Sequence, residues 1–188
     1  MSYNYRLEGS LIPRSWVALL LLATLSFTLE VRASEPARAE QLDQLFFNLK
    51  QAPDEASAQV AENQIWKLWI TTGNPAVDQL MRQAMDARRW YDFDKALSLL
   101  DQVVDMAPNY AEAWNQRATV YFQRGDYEQA LEQVARTLEL EPRHFGALAG
   151  RGIIRLRQGN SALAIQNIKA AMAIHPYLQE RNLLPTQF

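Results

Sequence analysis

Apolar residues fall along this chain in two helical registers. Between positions 36 and 71, Leu42, Leu45, Phe46 and Leu49 recur at three- and four-residue spacing, as do Ile65, Trp66 and Trp69. That pattern predicts two amphipathic helices, near 36–51 and 53–71. Further on, the pattern itself repeats with a step of 34 residues. Leu80, Trp114 and Leu148 share one phase, Ala84, Ala118 and Gly152 a second, and Phe93, Tyr127 and Ser161 a third. Ala96, Ala130 and Ala164 follow, then Leu100, Val134 and Ile168, and each unit closes on Pro108, Pro142 or Pro176. A period of this size predicts stacked supersecondary units, none of which can bury its apolar face alone. Each unit here reads as two amphipathic helices.

The small and polar residues of the repeat have physical reasons. Two antiparallel helices approach closely only where no bulky side chain intervenes, which explains Ala130 and its equivalents together with Ala118 and Gly152. Gly125 and Gly159 are expected to end first helices at positive φ, and Asp126 and Asn160 to cap the second helices with their side-chain oxygens. Tyr127 is expected to pack back across its turn. Pro142 cannot continue a helix, so the chain turns there into the next unit. Asn109 with Glu112 suggests a capping box, and Asn74 followed by Pro75 a helix start.

These residues carry a resemblance. Trp114, Arg117, Ala118, Tyr121, Ala130 and Pro142 match the pattern of the tetratricopeptide repeat, in which a Trp, a Leu-Gly pair and a Tyr precede an Ala, a Phe and a Pro. The chain departs from it at Arg117 and Arg151, where Leu is usual, and at Val134, where Phe is usual. Each Arg is expected to lay its stem along the helix pair and lift its charge to solvent. Tyr91 stands at the turn-glycine position of the first unit. The resemblance implies an all-α fold, a right-handed superhelical stack of antiparallel helix hairpins, with units at 77–110, 111–144 and 145–178. Residues 34–76 read as a degenerate amino-terminal hairpin and 179–188 as a tail.

Ahead of the hairpins, Arg6 and Arg14 precede the apolar run Trp16–Leu29, and Val31 and Ala33 precede Ser34 as small residues at a cleavage site. This resembles a secretory signal peptide, residues 1–33, cleaved between Ala33 and Ser34. As a helix the run would span roughly 21 Å, short of a hydrocarbon core of about 30 Å. The expectation is a periplasmic or secreted protein with no stable membrane span after cleavage, an uncleaved anchor being the alternative. The organisation resembles small exported repeat proteins of Gram-negative bacteria.

Composition narrows the function. The chain has no cysteine, which excludes thiolate catalysis, cysteine zinc sites and disulfides. A formal charge of −2, falling to −3 once Arg6, Arg14, Arg32, Glu8 and Glu30 are removed, gives no basic excess for nucleic acid. His144 and His175 lie in turns with no partner at metal-ligand spacing, so they are read as surface or turn-packing residues and no metal is expected. Asp101 with Asp105, and Glu128 with Glu132, read as solvated helix faces. No nucleophile motif or phosphate-cradling loop is present; no enzymatic activity and no cofactor are expected. Arg88, Arg89, Trp90 and Tyr91 form the sole local basic and aromatic cluster, read first as packing at an altered turn.

The resemblance implies that the second, fifth, ninth, twelfth and thirteenth residues of each unit line a concave face. Among these, Met81, Met85, Arg88, Arg89, Asn115, Thr119, Phe122, Ile153, Leu156 and Arg157 are the candidate partner-binding residues. Met81 and Met85 replace the Lys and Asn with which the family grips acidic carboxyl-terminal peptides, so the groove is expected to favour apolar segments. The function implied is a scaffold binding a peptide or helix of a protein partner. The alternative is a structural subunit or homo-oligomer whose groove packs against its own tail or a second copy.

Overall fold

A computed structural model describes residues 36–185, and the proposed signal segment therefore lies outside the described residues. Helix α1 covers residues 36–50. It is followed by α2 (Glu55–Trp69), α3 (Pro75–Arg89), α4 (Phe93–Met106), α5 (Ala111–Arg124), α6 (Tyr127–Leu140), α7 (Phe145–Arg157), α8 (Ser161–Ile174) and a short 3-10 turn, Gln179–Leu183. Among the described residues there is no strand, and the fold is all-α. From Leu42 onward the chain forms one compact unit.

Helices α3 and α4, α5 and α6, and α7 and α8 pack as hairpins, and α4 on α5 and α6 on α7 join one hairpin to the next. The repeated small residues sit at the close approaches. Ala96, Ala130 and Ala164 are each fully buried, and a Cβ on Gly152 would come within 2.8 Å of Ile168. Overpacking at such contacts costs about 1–3 kcal/mol.

The helix ends show which turn expectations survive. Gly125 and Gly159 have φ of +85° and +76°, the left-handed conformation that favours glycine. Asn74 accepts from the Ala76 N–H at 3.0 Å with Pro75 in the first turn, and Asn160 accepts from Leu163 at 3.2 Å. Tyr127 packs across its turn on Phe122, ring centroids 5.9 Å apart. Two caps differ. Asp126 makes no cap bond; its carboxylate pairs with Arg124 at 3.1 Å. The start of α5 has no side-chain cap either: its N-cap residue is Tyr110, one position beyond Asn109, and Glu112 is buried at 1% exposure.

The arginines of the repeat also differ from expectation. Arg117 pairs with Asp101 at 2.9 Å and lies over the Trp114 ring, while Arg151 donates to Asn167 on α8. Both charges are thus spent on a neighbouring helix, and burial pulls the Arg151 guanidinium below its ordinary value with Arg155 adding to the effect. Tyr91 adopts φ +62°, the same turn that its glycine equivalents make, despite its Cβ.

The amino-terminal hairpin holds the largest departure from a simple series of units. Leu45, Phe46 and Leu49 of α1 and Ala58, Ala61, Ile65 and Trp69 of α2 form one buried cluster with Phe145, Leu148 and Ala149 of α7, Ala171 of α8, and Leu178. No residue of α3 or α4 belongs to that cluster. The hairpin therefore covers the third repeat unit, the most distant one along the chain.

Candidate interaction groove

The first helices of the three units, α3, α5 and α7, carry the candidate binding residues, and the structure divides these into three groups. Met81 is fully buried with Leu100 and Val104 in the core of α3, α4 and α5, and half-buried Met85 packs against that core. A side chain with no exposed surface contacts no partner, so Met81 is a packing residue. Arg88 is half-buried; burial lowers its guanidinium from the ordinary value, with Glu112 opposing and Arg89 adding. Arg89 and Arg157 are exposed, Arg89 pairing with Asp86 at 3.6 Å, and Leu156 is half-buried.

The other four come together. Asn115, Thr119 and Phe122 of α5 and Ile153 of α7 border an open recess of about 200 Å³, completed by Ala118, Val134, Gly146, Gly150, Ile154 and Glu180. Its lining is mostly apolar. Thr119 spends its hydroxyl on the Asn115 carbonyl at 3.0 Å, and the Asn115 amide donates to Glu112 at 3.0 Å. These polar groups are satisfied within the wall, which leaves apolar surface facing the hollow. A partner would gain about 25 cal/mol for each Å² of apolar surface removed from water there.

Below the recess lies a buried polar network that sequence reasoning did not find. Glu112 accepts from Asn115, from Gln116 at 2.6 Å and from His144 at 2.9 Å. His144, which is fully buried, accepts from the Ala147 N–H through Nδ1 at 3.1 Å, so Nε2 is the nitrogen that donates to Glu112. A buried carboxylate needs such donors to offset its lost hydration. The signal was present as Glu112 and His144, 32 positions apart, but helix-end grammar assigned the first to a cap and the second to a turn.

The far end of the groove is occupied by the chain itself. Trp66 lies over Gly146, so that a Cβ there would meet the indole at 3.0 Å, and Ala149 is buried in the cluster with Trp69. Both are positions that the family resemblance places on the concave face. Polar contacts hold the same docking: Arg143 donates to Asp43 at 2.6 Å and lies over the Phe46 ring, and His175 meets Glu62 at 3.2 Å. Burial of His144 and His175, at 0% and 2% exposure, rules out the surface reading of either. In contrast, Trp90 and Tyr91 are 81% and 75% exposed, so packing at that turn is confined to an edge contact of Tyr91 with Phe93 and the half-buried Arg88.

Residues 91–151 match the family model for the tetratricopeptide repeat. A TPR repeat-containing protein of Rhizobium etli is 35% identical over 100 residues, which are 53% of this chain and 49% of that protein. The chain thus spans about half the length of that curated relative. Among solved structures, the Arabidopsis OM64 TPR domain is similar at a TM-score of 0.55 and 15% identity, over 57% of this chain and 89% of that one. A MamA RS-1 ArsTM double mutant is similar at 0.50 and 18%, over 77% and 79%. At these identities the likeness shows the fold alone. The repeat landmarks, the stacked hairpins and the family match converge: residues 91–151 carry tetratricopeptide repeats within an all-helical stack of hairpins, a fold that supports a scaffold for protein–protein interaction.

Proposed function

We propose that this protein is a non-catalytic scaffold that takes an apolar segment of a protein partner, a peptide or a helix, into the recess between α5 and α7. The observation that carries the reading is the convergence of Asn115, Thr119, Phe122 and Ile153 on one open, mostly apolar hollow. Docked segments of this kind gain affinity by burying a few anchoring side chains in such pockets. The alternative is a structural subunit or homo-oligomer whose groove packs against its own tail or a second copy; the element over Gly146 and Ala149 is α2 and not the tail, and of the tail Glu180 borders the hollow at Phe122.

The test is a photo-crosslinking residue in place of Thr119, with peptide mapping of the products. Crosslinks to a segment of another protein, competed by that segment as a free peptide, support the scaffold. Crosslinks confined to a second copy of this chain would move the reading to a homo-oligomer.

The site of action proposed is the periplasm or the outside of the cell, reached through cleavage between Ala33 and Ser34. The support is the charged start, short apolar core and small-residue ending at Ala33. Among the described residues no helix is long and apolar enough to cross a membrane. Intact mass of the exported protein should match a chain starting at Ser34; retention of residues 1–33 in a membrane fraction would show an anchor instead.

A further inference from the structure

We propose that the cleft between α7 and α8 binds a carboxylate, an acidic side chain of another polypeptide, through Arg151 and Arg155. The cleft is open, about 310 Å³ in volume, and lined by Arg151, Arg155, Leu163, Gln166, Asn167 and Ala170. Two guanidinium groups share it with two side-chain amides, and no lining residue is acidic. The preceding repeat unit shows what is missing. Arg117 stands one 34-residue step before Arg151, and it pairs with the Asp101 carboxylate of α4 at 2.9 Å. One step on from Asp101, the residue of α6 that would supply the same carboxylate is Ala135, which is exposed. The third unit keeps the arginine and lacks its acid.

Arg151 meets only a neutral acceptor. Its Nε–H donates to the side-chain oxygen of Asn167, whose own NH₂ is held by the Leu163 carbonyl at 2.6 Å, so the guanidinium plane is fixed while its two terminal nitrogens, which are not sealed from solvent, carry no bond among the described residues. Arg155, one turn further along α7, donates to the Gln158 oxygen at 2.9 Å, and the Gln158 amide in turn reaches Glu128 at 3.5 Å. Neither arginine has a carboxylate of its own. Both are half-buried, and like charges four residues apart on a helix repel. Burial and the Arg155 charge hold the Arg151 guanidinium below its ordinary value with no acid opposing them, whereas at Arg88 the Glu112 charge opposes. A carboxylate seated across the pair would offset both costs, accepting parallel N–H bonds from a planar fork already held in place.

The remaining walls favour a side chain over a bare anion. Leu163, 39% exposed, and Ala170 set apolar surface beside the charges, and the methylenes of a glutamate would cover it where a free ion would not. No residue lines both this cleft and the recess between α5 and α7. Carboxylate binding here therefore does not rest on the recess as a partner site.

The experiment titrates the full chain, at low salt to limit screening, with N-acetyl-glutamate methylamide, its neutral glutamine counterpart, acetate and inorganic phosphate. The readout is the ¹H–¹⁵N shift of the Arg151 Nε–H, assigned with Arg151→Lys. A saturable shift is expected with the glutamate compound and none with the glutamine one. Arg155→Gln should weaken binding about fivefold or more. Ala135→Asp, which restores the acid that the second unit has, should move the Arg151 signal to its bound position without ligand and abolish the response. Weaker binding of acetate and of phosphate than of the glutamate compound supports a polypeptide side chain as the occupant; equal or tighter binding of either overturns that source. Absence of a saturable shift below about 50 mM, an equal response to the glutamine compound, or an unchanged titration in Arg155→Gln or Ala135→Asp chains that melt like the parent overturns the site itself.

Discussion

The ring of Trp69 lies flat against that of His144, with 4.0 Å between centroids and 7° between planes. Through its other edge the same imidazole donates to Glu112. One histidine thus joins the amino-terminal hairpin to the second and third repeat units. The stack also explains why a hairpin lacking the repeat landmarks is held in place: Phe46, Trp66 and Phe145 surround Trp69 at centroid distances between 5.1 and 5.9 Å.

Trp69→Ala is therefore expected to cost about 3–5 kcal/mol, the range for truncating a large core aromatic. Amide exchange should rise first in α1 and α2, while α3 and α4, which share no buried cluster with Trp69, keep their protection. Uniform loss of protection through all helices would show that the hairpin and the repeats unfold as one unit, and that the docking is not a separable layer.

Acidification should weaken the same docking. A hydrogen bond from His175 is the main influence holding the Glu62 carboxyl below its ordinary value; burial opposes it, and the Trp66 indole N–H supports it. With the folded value lowered, the unfolded chain takes up the proton first as pH falls. The contribution is then complete above the ordinary glutamate value of about 4.3 and is lost as pH drops through the lowered one. The stability gap between the native chain and Glu62→Gln should shrink as pH falls below about 5 and on through the lowered value. A gap that widens on acidification would reverse the sign of this argument.

The repeat was legible because it obeys local rules that are read one residue at a time. Ala130, Gly125 and Pro142 each answer a steric or φ requirement of their own position, and the 34-residue step multiplies the signal. The docking of α1 and α2 was not legible, because an apolar face such as that of Ile65, Trp66 and Trp69 states that something must cover it and not what. Met81 shows the same limit within the repeat: family position placed it on the concave side, whereas the structure buries it among residues of α3, α4 and α5. Phe122 and Ile153 were named from family position alone, and the structure places both, half-buried, on the recess. Glu112 was missed since a capping-box spacing and an inward-facing carboxylate have the same sequence.

Backbone conformation offers a paired test. Gly125 has φ +85° with open space around its absent Cβ, so Gly125→Val should lose about 1–2 kcal/mol through left-handed strain alone. Tyr91, at φ +62° with a 75% exposed ring, bears that strain already. Tyr91→Gly should raise stability by up to about 1 kcal/mol, less whatever its edge contact with Phe93 supplies. Chemical denaturation of the two variants measures both, and a Tyr91→Gly chain less stable than the parent would mean that the contact outweighs the strain.

The recess itself can be closed without harming the fold. Gly150 lies in the interior of α7 on the wall of the hollow, and a Cβ added there would meet nothing within 4 Å. Helix-interior glycine is less favourable than an alkyl residue by roughly 1 kcal/mol, so Gly150→Leu should stabilise the chain by about that amount while its side chain fills the space beside Phe122 and Ile153. Phe122→Ala acts from the other side. It removes a half-buried ring that packs on Tyr127, so it should destabilise modestly and, if Phe122 is the anchor, weaken partner binding by about 2 kcal/mol or more. A mutation that raises stability and another that lowers it would then share one binding defect, which no general effect on folding can produce. Retention of full partner binding by a Gly150→Leu chain that melts higher than the parent would remove the recess between α5 and α7 as the site of recognition.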